Sequence, residues 1–172
     1  MIALGLLILR IVIGLTMAAH GAQKAFGWWG GTGINGWLGG MNRMRMRPAL
    51  LWGWMSVLAE LLGGLGFGLG ILFPLPGFAI LAAMLVAVAL VHWPKGFWNS
   101  KGGFEFNLSI IAAAVALSVT GPGQYSVDSA LGIHLPEPLT FIVVAVVTLA
   151  SVALALTTRG APAAEAKPQA PA

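Results

Sequence analysis

The chain has 172 residues, of which 58% are hydrophobic and 8% charged, with a formal charge of +4 and a mean hydropathy of +0.89. A soluble domain carries about 25% charged residues, so a water-exposed globule is excluded and an integral membrane protein is expected. The absence of cysteine excludes disulfides, thiolate catalysis and iron–sulfur ligation, and no basic patch interleaved with aromatics points to nucleic acid.

In chain order, "MIALGLLILRIVIGLTMAAHG" opens the sequence. It lacks a basic start and Arg10 splits its apolar run, so a membrane span over 2–20 is expected rather than a cleaved leader. Over 27–48, Ile34, Trp37, Leu38 and Met41 follow the i, i+3, i+4, i+7 rule ahead of Arg43, Arg45 and Arg47. That pattern predicts a short helix, about 33–47, lying in the membrane interface with its apolar side in lipid. Apolar runs at 49–73, 76–92, 105–120 and 138–156 predict further spans, the 105–120 run being short for a core of ~30 Å. Pro74 and Pro76 impose a tight turn between the second and third, because proline cannot continue a helix interior. The "GPGQYS" stretch at 121–126 breaks the chain again, and Pro138 opens the last span as proline does at a helix start.

These elements predict an all-α, integral membrane helical bundle of five spans, the last of them with its preceding loop over 129–158, followed by a disordered Pro/Ala-rich tail at 159–172. Five spans put the loops 21–48 and 93–104 and the C-terminal tail on one side, with eight of the nine basic residues, Arg10 lying within a span. Positive residues collect on the cytoplasmic side, so the N-terminus is expected outside and the C-terminus inside a plasma membrane of bacterial type. Trp28, Trp29, Trp93 and Trp98 fall at the inner boundary, where an aromatic belt belongs.

Few side chains in such a chain carry chemistry. Counted along their spans, Arg10 and Glu60 reach nearly the same depth, roughly 12 Å below the outer face and 16 Å above the inner one. Gly14, Ala18 and Gly21 share a face with Arg10, and Gly53, Ser56, Gly63 and Gly64 share one with Glu60, allowing close approach. A buried Arg10–Glu60 ion pair is therefore expected, since a lone charge at mid-membrane costs at least ~2.5 kcal/mol. Near the inner boundary, His20 and Lys24 end the first span, His92 ends the third and Glu105 begins the fourth. "HWPKGFWNSKGGFEFN" (92–107) thus joins two titratable groups from neighbouring helices. Such a pocket suits a quinone headgroup: histidine donates to a carbonyl oxygen, a carboxylate exchanges protons and lysine adds positive potential. The competing reading is that these are ordinary snorkelling residues. Axial ligation of a b-type haem by His20 and His92 is a lesser alternative, and no metal-ligand pattern is present.

Several stretches together resemble the DoxX family: "LLILRIVIGLTMAAHGAQKAFG", "WMSVLAELLGGLGFGLGIL", "MLVAVALVHWPKGFW", "GGFEFNLSIIAAAVAL" and "TGPGQYSVD". The resemblance covers about residues 4–128. It implies a small membrane protein with a four-helix core, here over 1–128 plus a fifth transmembrane helix, related to the small subunit of thiosulfate:quinone oxidoreductase, with family positions at Arg10, His20, Lys24, Glu60, His92 and Glu105. The fifth span and tail exceed the family pattern.

The leading functional expectation is a quinone-linked oxidoreductase subunit, with His20, His92 and Glu105 as catalytic residues and Lys24, Arg10 and Glu60 binding the quinone. No covalently bound cofactor is expected; quinone is the substrate, and electrons come from a partner or directly from a reduced substrate. The alternatives are a non-catalytic scaffold recruiting soluble redox enzymes to the basic inner face, and a small-solute transporter. An oligomeric state does not follow from the sequence.

Overall fold

The computed structural model describes residues 1–160. The expected disordered tail, with Lys167 in it, lies outside the described residues apart from 159 and 160. Helices are α1 (Ile2–Phe26), α2 (Gly33–Arg43), α3 (Ala49–Leu69), α4 (Leu75–Ala87), α5 (Glu105–Thr120), α6 (Val127–Leu131) and α7 (Leu139–Thr157). No strand occurs among the described residues, so the fold is all-α. Four helical runs are long and apolar enough to cross a membrane: α1, α3, α7, and α4 with the π turn Val88–His92 and 3-10 turn that prolong it to Lys95. With 16 residues, α5 reaches about 24 Å, short of a full core.

Antiparallel order follows from the connections. Asp128, just beyond α5, takes the Leu72 and Phe73 N–H groups on its two carboxylate oxygens at 2.8 and 2.9 Å, and its own N–H donates to Gly70 O. The end of α5 therefore meets the α3–α4 turn, and α5 runs from one end of the bundle to the other. Ser126 caps α6, its Oγ accepting from Ser129 N at 3.1 Å, as a serine N-cap does. Among the described residues, every Lys and Arg except Arg10 lies toward the opposite end, with α2 and the 96–104 connector.

Glycine sets the register of α1 on α3. A Cβ on Gly14, Gly21 or Gly64 would lie within 3.0 Å of the other helix's backbone, which pairs Gly14 with Gly68, Ala18 with Gly64 and Gly21 with Leu61. Only hydrogen fits in that seam, the close backbone approach by which membrane helices associate. Beside it, Met17, Phe67, Ile80, Met84, Ile110, Ala114 and Leu117 form the main core.

The outside of the bundle is apolar. Ile8, Val12 and Leu15 on α1, Leu58 and Leu62 on α3, and Val143, Val146 and Val147 on α7 are exposed. In water this surface would drive aggregation; in hydrocarbon it needs no cover. The extreme case is α7, which buries 11% of its most apolar 18-residue stretch and packs chiefly on α4.

Two local expectations are corrected. Helix α2 ends at Arg43, and its apolar face is turned onto α3 rather than into lipid. Leu38 fills the notch left by Gly53, Met41 is buried, and the Trp37 indole N–H donates to Ser56 Oγ at 2.8 Å. An aromatic that can pack its ring and satisfy its N–H gains more on a neighbouring helix than in lipid.

Candidate functional site: a buried ion pair beside an apolar cavity

At the cationic end, α2, α3, α4 and α7 leave a cavity of about 120 Å³ between them. Its walls are almost wholly apolar, with Met41, Met44, Met46, Trp37 and Trp52 on one side and small residues of α4 and α7 on the other. The polar contribution comes chiefly from Lys24 and Glu60. Lys24 Nζ lies 2.6 Å from Glu60 Oε1, the only ion pair among the described residues. The same ammonium sits 4.1 Å from the centre of the Trp37 ring, within cation–π range.

Glu60 is 2% exposed and its second oxygen, Oε2, has no hydrogen-bond partner. A buried carboxylate oxygen without a donor forgoes a charge-assisted bond, an arrangement costly to keep unless used. Lys24 belongs to the last turn of α1, so the pair also ties α1 to the middle of α3. Across the cavity, α4 departs from α-geometry at the π turn Val88–His92, which contributes Leu90 and Val91 to the lining. Such π insertions recur at functional sites.

The expected Arg10–Glu60 pair does not form. Extending the glycine register sets Glu60 level with Ala22 and Arg10 level with Leu72, so the two charges stand about 18 Å apart along α1. Depths counted from the span ends fail because α1 and α3 are staggered, each running beyond the other at one end. Arg10 is 1% exposed and donates to three carbonyls: Nε to Gly68 O at 2.9 Å, and its two terminal nitrogens to Pro122 O and Tyr125 O. It takes a free carbonyl at the C-terminal end of α3, as basic groups do at helix ends, and binds the 121–126 loop to it. Arg10 is therefore no part of the cavity.

The sequence model of the DoxX family matches residues 5–93. The chain belongs to the DoxX family. No curated protein and no solved structure matches it. The DoxX match takes in α1 to α4, and with them Arg10, His20, Lys24, Glu60 and His92; Glu105 and the α7 wall of the cavity lie beyond it.

The remaining expected residues do not converge on the DoxX cavity. His20 is exposed and packs edge-on against Phe106, with ring centres 5.9 Å apart. His92 Nδ1 lies 2.7 Å from Gly102 O, and Glu105 accepts from the Asn99 N–H at 3.0 Å. Trp93 stacks on Phe104, and the Phe104 and Glu105 N–H groups donate to Gly96 O and Phe97 O. Residues 92–105 thus form a connector in which His92 and Glu105 bond locally, and none of His20, His92 and Glu105 lines the cavity. Two features went unread in the sequence. Met41-x-x-Met44-x-Met46 already marked three thioethers for one surface, and Ser126-x-x-Ser129 marked the cap that positions Asp128. No group of three or more His, Asp or Glu able to hold a metal occurs among the described residues.

Proposed function

We propose that this multi-pass DoxX protein is a quinone-binding redox subunit whose ring site is the Met/Trp-lined cavity, with Glu60 and Lys24 exchanging protons with the ring oxygens. The observation that carries this reading is the half-satisfied Glu60 carboxylate on the wall of a ring-sized apolar cavity. A cavity of about 150 Å³ with apolar walls stays dry and accepts benzene, so the space here suits one six-membered ring with its tail passing into lipid. Reducing a quinone takes two electrons and two protons. A carboxylate in contact with an ammonium is a suitable proton-exchanging group, and electrons enter from a partner polypeptide or a reduced substrate. Polarised indoles and thioethers suit a flat, electron-poor ring. Relative to the sequence expectation, the roles assigned to His20, His92 and Glu105 pass to Lys24 and Glu60. The distribution of Lys and Arg supports a cytoplasmic location for the cavity end, with a bacterial plasma membrane as the setting.

The test is tryptophan quenching by a short-tailed ubiquinone analogue in lipid nanodiscs. Saturable quenching is expected in the wild type, and should be lost when Trp37 and Trp52 are both replaced by Phe. Ala83→Phe, which fills the cavity, should weaken binding at least tenfold, and Glu60→Gln should weaken it less. Equal quenching in the wild type and in Ala83→Phe protein of unchanged thermal stability would reject the site.

A further inference from the structure

Beyond the cavity mouth, the end of α7 returns to the α2–α3 turn. The Gly160 N–H donates to Arg45 O at 2.9 Å, and Arg159 Nε donates to Met44 O at 3.3 Å. The aliphatic stem and Nε of Arg47 come within 3.8 Å of the position a Cβ would take on Gly160. Arg45 itself holds a left-handed backbone, φ 62°, a conformation that costs a non-glycine residue about 1 kcal/mol or more. The backbone of Arg45 and the side chains of Arg47 and Arg159 are thereby brought together from chain positions up to 114 residues apart, Arg45 to Arg159. Among the described residues none of the three pairs with a carboxylate, the only ion pair there being Lys24 with Glu60.

We propose that this patch binds the phosphate of an anionic phospholipid. Guanidinium forks match phosphate oxygens in pairs. The patch lies at the edge of the apolar zone, beside the 56%-exposed Leu154 of α7, so a phosphate held there leaves its acyl chains against the uncovered side of that helix. That geometry favours a lipid over free phosphate or an acidic peptide, neither of which would cover α7. Because α7 has α4 as its main protein neighbour, a bound lipid would fasten the fifth span to the rest of the bundle. The inference is independent of the quinone site.

The experiment is native mass spectrometry of the full chain, released from detergent after incubation with equimolar phosphatidylglycerol and phosphatidylcholine. Preferential retention of phosphatidylglycerol is expected. Arg47→Gln, at a side chain that makes no hydrogen bond among the described residues, should lower that retention about fivefold, the effect of roughly one interfacial basic residue. Arg159→Gln is the second variant should the first not fold. The double variant Lys95→Gln/Lys101→Gln removes more charge from the same end but lies on the α4–α5 connector, and should retain the lipid. Equal retention of both lipids would overturn the proposal. So would equal loss in the lysine variant, which would reveal a diffuse positive field, or full displacement by millimolar inorganic phosphate, which would reveal a free-anion site.

Discussion

Two deeply buried charges, Arg10 and Glu60, occupy opposite ends of the same α1–α3 seam and are treated in opposite ways. Arg10 meets three carbonyls and closes the anchored end of the bundle, where the 121–126 loop, α6 and the α3–α4 turn converge. Glu60 meets one ammonium and keeps its second oxygen unpartnered beside an empty-walled cavity. A charge in an apolar medium is tolerable once its hydrogen-bonding capacity is used. Arg10, with all three of its nitrogens donating, is a fastening, whereas Glu60 keeps one oxygen as a free acceptor. Burial alone would not have distinguished them, since both are at most 2% exposed.

The hardest test of the contrast is to remove the fastening. Arg10→Met keeps the volume and leaves the Gly68, Pro122 and Tyr125 carbonyls without their donor. At about 1–3 kcal/mol for each buried unsatisfied group, a loss of at least 3 kcal/mol is expected, read as a fall in thermal unfolding temperature in detergent or as failure to accumulate. Glu60→Gln, by comparison, should cost less, since an amide oxygen can still accept from Lys24 and only one bond is weakened. Comparable losses would erase the distinction between the two charges.

A smaller effect on the same end comes from Asp128. Its carboxylate receives two backbone N–H groups from the α3–α4 turn. Asp128→Asn keeps one acceptor oxygen and should cost about 1.5–3 kcal/mol, the value of a hydrogen bond to a charged group. Hydrogen exchange should show the change concentrated at Leu72 and Phe73, with amides around Glu60 unaffected. Faster exchange at the cavity end would mean that the two ends are coupled rather than separate.

The helices were legible because their signals are strong: long apolar runs, prolines at the turns, and one-sided positive charge. The α1–α3 seam was legible in kind, since Gly14, Gly21 and Gly64 advertise close approach. Its register was not, because small residues show that two helices touch without fixing which residue meets which, and the stagger moved Arg10 away from Glu60 by more than three turns. The same uncertainty separated Lys24 from His20: they lie one turn apart on α1, yet the His20 ring meets Phe106 while Lys24 reaches Glu60 on α3. The 92–107 connector misled for another reason. Its titratable groups sit beside glycines and backbone N–H groups within the same segment, and local bonds captured His92 and Glu105 before any long-range partner could.

The smallest expected effect is at His20, and it bears most directly on which end of the molecule does chemistry. The ring is exposed, lies against Phe106 and makes no hydrogen bond to the bundle. Its removal therefore forfeits one edge-on aromatic contact, worth about 0.5–1.5 kcal/mol at a packed site and less at an exposed one. His20→Ala should leave the unfolding temperature within a few degrees of wild type, and quinone-analogue quenching of Trp37 and Trp52 should be unchanged in amplitude and midpoint. A reduction in quenching comparable to that of Ala83→Phe, in protein of normal stability, would place the reactive ring on the α1–α5 side instead. Glu60 would then be a second fastening, its unpartnered oxygen merely a tolerated cost, and the asymmetry between the two buried charges would carry no functional meaning.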